Sequence, residues 1–163
     1  MKLTDFIMLL VEDDPNDILL IQRAFAKACL VNPLKVVRDG EQAINYLSGT
    51  GDFADRSRYP LPSLILLDLK LPRKSGLEVL EWLRQQPMLK QTPVIVLTSS
   101  KESSDVSRAY ELGANSYLIK PVGFEGLLEL VKSIGMYWMI LNKTAEPAAP
   151  DQHKNPPTAQ PLR

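Results

Sequence analysis

One short apolar segment restricts the possible folds of this chain more than any other. Four consecutive apolar residues, Leu64–Leu67, lead directly into Asp68, and Pro72 interrupts regular structure soon after. An unbroken apolar run of this length is typical of a strand buried on both faces, as in a parallel sheet covered by helices. In such sheets, ligand chemistry gathers just beyond the carboxyl ends of the strands. Taken alone, Asp68 is more simply a helix N-cap or a turn residue, so the other strands decide its role.

The rest of the chain repeats the same alternation of strand and helix. The other predicted strands are Phe6–Val11, Lys35–Val37, Val94–Leu97 and Ser116–Ile119. Asp14 and Pro15 are typical of a helix start, and the last helix carries an apolar stripe from Phe124 to Leu141. The polar segment 48–62 predicts a long exposed loop. Five strands that alternate with five helices indicate an α/β fold with a doubly wound parallel sheet.

The composition fits one soluble domain and excludes several classes of function. Nineteen basic and nineteen acidic residues cancel, so no overall charge predicts binding to nucleic acid or to a membrane. Cys29 is the only cysteine, which excludes an intrachain disulfide and a CxxC metal site, and we expect it to be buried. No apolar run approaches a membrane span and the first one is too short for a signal peptide, so we expect a cytoplasmic protein. We predict one domain over residues 1–143 and a disordered, proline-rich tail over residues 144–163.

Polar residues stand at the carboxyl ends of four predicted strands. Glu12 and Asp13 follow the first strand, Asp68 the third, Thr98 the fourth and Lys120 the fifth. Each residue alone could be a loop acid, a cap or a solvated lysine, but their coincidence at one sheet edge favours a site. Three crowded carboxylates repel one another unless a cation joins them, and their oxygens suit Mg²⁺. An acidic nucleophile, a metal, a lysine and a hydroxyl are the parts of an aspartyl-phosphate site.

From Phe6 to about Asn142, the chain resembles the CheY-like receiver domains of two-component response regulators. The motifs that carry the resemblance are Leu10-Val11-Glu12-Asp13, Leu67-Asp68-Leu69-Lys70-Leu71-Pro72 with Gly76, Val96-Leu97-Thr98-Ser99, and Tyr117-Leu118-Ile119-Lys120-Pro121. The resemblance implies a flavodoxin-like fold with strand order 2-1-3-4-5. It also implies a stand-alone phosphorelay protein that assists its own phosphorylation and dephosphorylation without being a turnover enzyme.

The resemblance further implies a role for each of these residues. The implied ligands of Mg²⁺ or Mn²⁺ are the side chains of Glu12, Asp13 and Asp68 and the backbone carbonyl of Lys70. Asp68 is the implied phosphoacceptor, and Thr98 and Lys120 bind the phosphoryl oxygens. Thr98 and Tyr117 form the implied switch pair, which reshapes the face made by the fourth helix, the fifth strand and the fifth helix. The Lys120–Pro121 peptide bond is implied to be cis.

The phosphoryl donor has to be another protein, because the only histidine, His153, lies in the predicted tail. We expect a sensor histidine kinase that docks against the first helix, where the candidate positions are Gln22, Arg23 and Lys27. The long loop before the third strand and the end of the last helix resemble the small regulators of bacterial, especially cyanobacterial, phytochrome kinases. In those regulators an extended fifth helix supports homodimers. Here the apolar residues off the core stripe, which predict a dimer face, are Met136, Tyr137, Met139 and Ile140.

Two other classes of function stay open on the residues alone. A receiver-like adaptor would bind its partners without phosphate, and an Asp68→Asn variant would then keep its function. A phosphatase of the haloacid-dehalogenase type needs a second acid two residues after the nucleophile, where this chain has Lys70. The sequence therefore disfavours that phosphatase, and we hypothesise that Lys70 alters the lifetime of the phosphorylated state.

Overall fold

The five strands form one parallel sheet in the order β2-β1-β3-β4-β5, which confirms the predicted fold. The computed structural model describes residues 5–143 and residue 145, so the predicted tail lies outside the described residues except for Ala145. The strands are β1 (Met8–Val11), β2 (Leu34–Val37), β3 (Leu64–Leu67), β4 (Val94–Thr98) and β5 (Ser116–Ile119). All residues of β1, β3 and β4 are buried, as their unbroken apolar sequences predict.

Helices connect the successive strands and cover both faces of the sheet. They are α1 (Pro15–Lys27), α2 (Gly40–Ser48), α3 (Gly76–Gln85), α4 (Ser103–Glu111) and α5 (Phe124–Ile134). As predicted, Asp14 is the N-cap of α1, and its carboxylate accepts hydrogen bonds from two backbone N–H groups of the first turn. One core cluster packs under α2 and α3, and a second lies between the sheet and helices α1 and α5. Within the described ranges, no helix is long and apolar enough to cross a membrane.

Two arginines anchor connections that the sequence alone describes only as loops. The predicted loop 48–62 contains a 3₁₀ turn, Gly51–Phe53, and Arg56 donates hydrogen bonds to the backbone carbonyls of Tyr46, Leu47 and Tyr59. The Tyr46 hydroxyl, which is fully buried, donates to the Pro60 carbonyl at 2.8 Å. Half-buried Arg84 has four acceptors: the carbonyls of Lys90, Thr92 and Gly113 and the side-chain oxygen of Asn115. Through these hydrogen bonds the arginines hold both connections against the core.

The last helix continues to Leu141, as predicted, but beyond Ile134 it becomes a π-helical segment, Gly135–Leu141, and the predicted apolar stripe is wrong at its end. A Cβ at Gly135 would lie 2.9 Å from the Leu30 side chain, so this segment closely approaches the connection between α1 and β2 there. The π-helix has more residues per turn than an α-helix, which changes the faces on which later residues lie. Met139 is therefore partly buried against the core, whereas Leu141, which the predicted stripe placed inside, is 69% exposed.

Two smaller predictions are also wrong. Cys29 is exposed, because α1 ends at Lys27 and Cys29 adopts a positive φ of 57° in the turn that follows. The Lys120–Pro121 bond is not cis, since all peptide bonds of the described residues are trans. Trans is the preferred form of such a bond by about 0.5–1 kcal/mol.

Candidate functional site

The carboxyl ends of β1, β3, β4 and β5 meet at a cleft of about 460 Å³. The candidate residues that line it are Glu12, Asp13, Asp68, Lys70, Thr98 and Lys120. Backbone hydrogen bonds fix two of their positions, since Glu12 N–H donates to the Val37 carbonyl and Asp68 N–H to the Val11 carbonyl. The parallel sheet thus brings together residues that are more than a hundred positions apart in the chain.

Three carboxylates form an acidic cluster within the cleft. One oxygen from each of Glu12, Asp13 and Asp68 lies within 4.8 Å of the others. Glu12 and Asp68 are buried and Asp13 is partly exposed, which leaves one open side for solvent or a ligand. Hard oxygen donors at this spacing suit a divalent cation such as Mg²⁺, with water completing the shell.

Lys120 is the cation that faces this cluster. Its ammonium group donates to Glu12 Oε2 at 2.5 Å, to Asp68 Oδ2 at 2.9 Å and to Asp17 Oδ2 at 2.9 Å. All three ammonium protons therefore have carboxylate acceptors. Sequence reasoning missed Asp17, which by its position is an ordinary acid of the first turn of a helix. The signal that could have found it is that α1 begins directly after β1, so its first turn borders the cleft.

Burial and the lysine shift the pKa values of the cluster in opposite directions. Burial raises the pKa of Glu12 to about 7, although hydrogen bonds from Lys120 and from the Asp14 backbone oppose the shift. Burial would also raise the pKa of Asp68, but hydrogen bonds from Lys120 and Thr98 outweigh it and lower that pKa below its usual value. Burial by itself would lower the pKa of Lys120, yet its carboxylate partners raise it above the usual range. Asp68 and Lys120 are thus both charged at neutral pH.

The β3–α3 connection packs tightly against Asp68. A Cβ at Gly76 would lie 2.1 Å from the Asp68 backbone carbonyl oxygen, so only glycine allows this approach. Gly76 N–H donates to the Leu69 carbonyl at 2.9 Å, which closes the turn. The Lys70 N–H group lies 3.4 Å from Asp68 Oδ1, and the Lys70 side chain is exposed at the rim.

The two residues of the predicted switch pair lie on adjacent strands and are connected through Ser100. Thr98 is buried, and its Oγ1 accepts a hydrogen bond from the Ser100 N–H at 3.3 Å. The Tyr117 hydroxyl donates to the Ser100 carbonyl at 3.0 Å. The Tyr117 N–H group donates to the Tyr110 hydroxyl of α4 at 3.1 Å. The geometry therefore links β5 to the end of β4.

The predicted dimer face is only partly at the surface. Met136, Tyr137 and Ile140 are 53–62% exposed and lie in the π-helical segment, next to exposed Leu141. Met139 instead packs against the core. These four exposed side chains, Met136, Tyr137, Ile140 and Leu141, are called the C-terminal apolar face below.

Comparison with known proteins agrees with the geometry of the fold and the cleft. Residues 8–132 match the family model described as "Response regulator receiver domain". The chain is 42% identical over 143 residues to the "Probable methanogenesis regulatory protein FilR2" of Methanothrix harundinacea, covering 88% of this chain and 90% of that protein. It is 40% identical over 133 residues to the "Response regulator Rcp1" of Synechocystis sp., covering 82% of this chain and 88% of that protein.

Solved structures of two cyanobacterial response regulators share the fold at similar identity. The phosphorylated phytochrome response regulator RcpA is 38% identical, with a TM-score of 0.81, over 86% of this chain and 99% of that one. The Mn²⁺-bound form of Rcp1 is 38% identical, with a TM-score of 0.78 and the same coverage. The acidic cluster of this chain is thus of the kind at which receiver domains bind a divalent metal. The family match, these identities and the shared fold establish that the chain belongs to the response regulator receiver domain family.

Proposed function

We propose that this protein receives a phosphoryl group on Asp68 and transmits the signal by a change in its association. The observation that carries the proposal is the buried Asp68 carboxylate, which Lys120 holds at 2.9 Å inside a cluster of acids. Because its pKa is lowered, Asp68 is ionised at neutral pH and can act as a nucleophile. One carboxylate oxygen attacks the phosphorus of the donor, a P–N or P–O bond of the donor breaks, and an acyl phosphate forms.

The other residues of the cleft position the phosphoryl group and balance its charge. Lys120 and Thr98 bind two of its oxygens, since Lys120 already contacts Asp68 and Thr98 lines the same cleft. Glu12, Asp13, Asp68 and the Lys70 carbonyl would hold Mg²⁺, which when bound neutralises charge on the phosphoryl oxygens. Catalysis in this proposal is therefore mainly positioning and electrostatics.

The proposed donor is a sensor histidine kinase that docks beside the cleft. Exposed apolar side chains stand there, with Leu19 of α1 46% exposed and Val122 of the β5–α5 connection fully exposed. The earlier candidates Gln22, Arg23 and Lys27 are also exposed on α1. The likeness to the cyanobacterial phytochrome response regulator RcpA supports a kinase of the phytochrome type. Because such kinases draw on cellular ATP, we place the exchange in the cytoplasm.

The proposed output is homodimerisation through the C-terminal apolar face, with the switch pair acting on the adjacent α4–β5–α5 surface. An exposed apolar cluster of this kind favours burial against a second copy. Phosphorylation would draw Thr98 towards the phosphoryl oxygen and thereby alter the contacts of Tyr117 and α4. Phosphorylation thus takes place at Asp68, and dimerisation takes place through the C-terminal apolar face.

Incubation with Mg²⁺ and acetyl phosphate tests the proposal. Intact mass and sedimentation are followed for the wild type, for Asp68→Asn and for Asp52→Asn, a control at an exposed acid outside the cleft. We expect one phosphoryl group on the wild type and on the control, none on Asp68→Asn, and a change in sedimentation only where phosphate is gained. No gain in the wild type, with dimers in all three proteins, would favour the phosphate-independent adaptor instead. Transfer from a phosphorylated phytochrome-type kinase, compared with an unrelated histidine kinase, tests the donor.

A further inference from the structure

Ser100 is a buried residue whose polar groups are all engaged, although the proposed function assigns it no role. Its N–H group donates to Thr98 Oγ1, and its carbonyl accepts from the Tyr117 hydroxyl. Its own hydroxyl donates to Asp105 Oδ2 at 2.5 Å and accepts from the Glu102 N–H at 3.4 Å. Ser100 is therefore the point at which the end of β4, strand β5 and the first turn of α4 are joined.

We infer that the Ser100–Asp105 hydrogen bond is a latch that holds the β4–α4 connection in the conformation in which Ser100 engages both Thr98 and Tyr117. Ser100 and Asp105 are then positioning residues for the switch pair. The effect on phosphoryl binding rests on the proposed function, whereas the effect on Tyr117 does not.

The types of hydrogen bond around Ser100 explain how the latch acts on Thr98 and Tyr117. The hydroxyl of Ser100 bonds to an acid, and hydrogen bonds to such groups are the stronger ones. Thr98 Oγ1 accepts from the Ser100 N–H, which leaves the Thr98 hydroxyl proton free to point to Asp68, whose side chain lines the same cleft. A path of hydrogen bonds thus runs from Thr98, beside Asp68 in the cleft, through Ser100 to Tyr117.

Loss of the latch should loosen both ends of this path. Without the bond to Asp105, the backbone of Ser100 is less fixed, so its carbonyl is a poorer acceptor for Tyr117. Its N–H group then also holds Thr98 less firmly in the position from which it would bind a phosphoryl oxygen. The latched conformation is therefore the one that favours the phosphoryl group, and removing the latch should weaken the binding of a phosphoryl mimic.

Four variants and one control test the latch. Ser100→Ala and Asp105→Ala each remove the hydrogen bond between the two side chains. The double variant removes the same single bond, so its effect should equal that of either single variant. Asp105→Asn keeps an acceptor oxygen for the hydroxyl and should rescue the effect. Ser104→Ala is the control, because Ser104 is an exposed serine of the same helix. The readouts are the ¹⁹F resonance of Tyr117 in protein labelled with 3-fluorotyrosine, identified with Tyr117→Phe, and the affinity for beryllofluoride with Mg²⁺.

We expect Ser100→Ala and Asp105→Ala to move the Tyr117 resonance towards the solvent-exposed position and to weaken beryllofluoride binding roughly tenfold. The double variant should match the single ones, and Asp105→Asn and Ser104→Ala should stay within about twofold of the wild type. Wild-type resonances in both alanine variants would overturn the latch, as would additive losses in the double variant. If Ser100→Ala does not fold, the Tyr117 resonance and the beryllofluoride affinity of Asp105→Ala alone test the latch. If the wild type binds no beryllofluoride, the proposed function fails, but the resonance of Tyr117 in ligand-free protein still decides the latch.

Discussion

Replacing Lys120 with methionine should destabilise the protein by an amount that depends strongly on pH. The Lys120 side chain is only 12% exposed, and its ammonium group contacts two buried carboxylates, since the Glu12 and Asp68 side chains are 2% and 8% exposed. Removing one partner of such a buried pair costs about 3–5 kcal/mol, because the remaining charge stays buried without compensation. The contact to Asp17, which is 34% exposed, adds about 0.5 kcal/mol at most after allowance for solvent screening. We expect a loss of about 3 kcal/mol at pH 8, or a Tm lower by about 6–12 °C in a protein of this size.

The pH dependence follows from the pKa of Asp68. Lys120 lowers this pKa in the folded protein, so the ionised Asp68 contributes stability above its usual pKa that is lost as the pH falls through the folded value. In Lys120→Met, the lysine no longer opposes burial, the largest cause, so the pKa values of Asp68 and Glu12 rise and both acids protonate at mildly acidic pH. The difference between variant and wild type should therefore shrink from pH 8 to pH 5.

Chemical denaturation without added metal at pH 5 and at pH 8 measures this difference. Lys132→Met is the matched control, because Lys132 is 51% exposed and pairs only with exposed Glu129 one helical turn away. It should change the free energy of unfolding by less than about 0.5 kcal/mol at either pH. A loss in Lys120→Met that equals the control, or that is the same at both pH values, would refute the reasoning.

Three further predictions concern stability. Because the pKa of Glu12 is raised to about 7, the metal-free wild type should lose stability as the pH rises from about 4.5 to 7. This decline should amount to at most about 3 kcal/mol in the free energy of unfolding from denaturation curves. Glu12→Gln should remove most of the decline. Arg84→Met should lower the free energy of unfolding by about 3 kcal/mol, because four oxygen acceptors each lose one donor. Arg108→Met, at an exposed ion pair, should cost less than about 0.5 kcal/mol, and equal losses in the two variants would contradict the role of Arg84. Tyr46→Phe should cost about 1–2 kcal/mol, since the Pro60 carbonyl loses its buried donor, and an unchanged Tm would speak against it.

The fold could be predicted from the sequence because its local patterns and its topology agree. The apolar run Leu64–Leu67 fits a strand covered on both faces, and short connections between strand and helix force parallel neighbours. The same topology explains why Asp68 and Lys120, 52 residues apart, could be expected to meet: parallel strands end at the same edge of the sheet. Their roles in phosphoryl transfer remain proposals.

Other features could not be predicted because they depend on tertiary contacts. Asp17 has the appearance of an ordinary first-turn acid, and only the fold, which brings the first turn of α1 next to the residue after β5, directs it to Lys120. The π-helical segment has no local signal, since its residues are apolar nearly all round and suit several helical periods equally. Because this segment has more residues per turn than an α-helix, Met139 faces the core and Leu141 faces outwards.

The hydrogen bond from the Tyr117 backbone to Tyr110 has a consequence for how copies of this chain can associate. Strand β5 forms one edge of the sheet, and an edge strand with free N–H groups is a template for pairing with another chain. Here the Tyr110 hydroxyl already occupies one of these donors, at 3.1 Å. A second strand could pair with β5 only by displacing that side chain. The edge is thereby protected against sheet extension and aggregation, and partners of this face are restricted to contacts between helices and side chains.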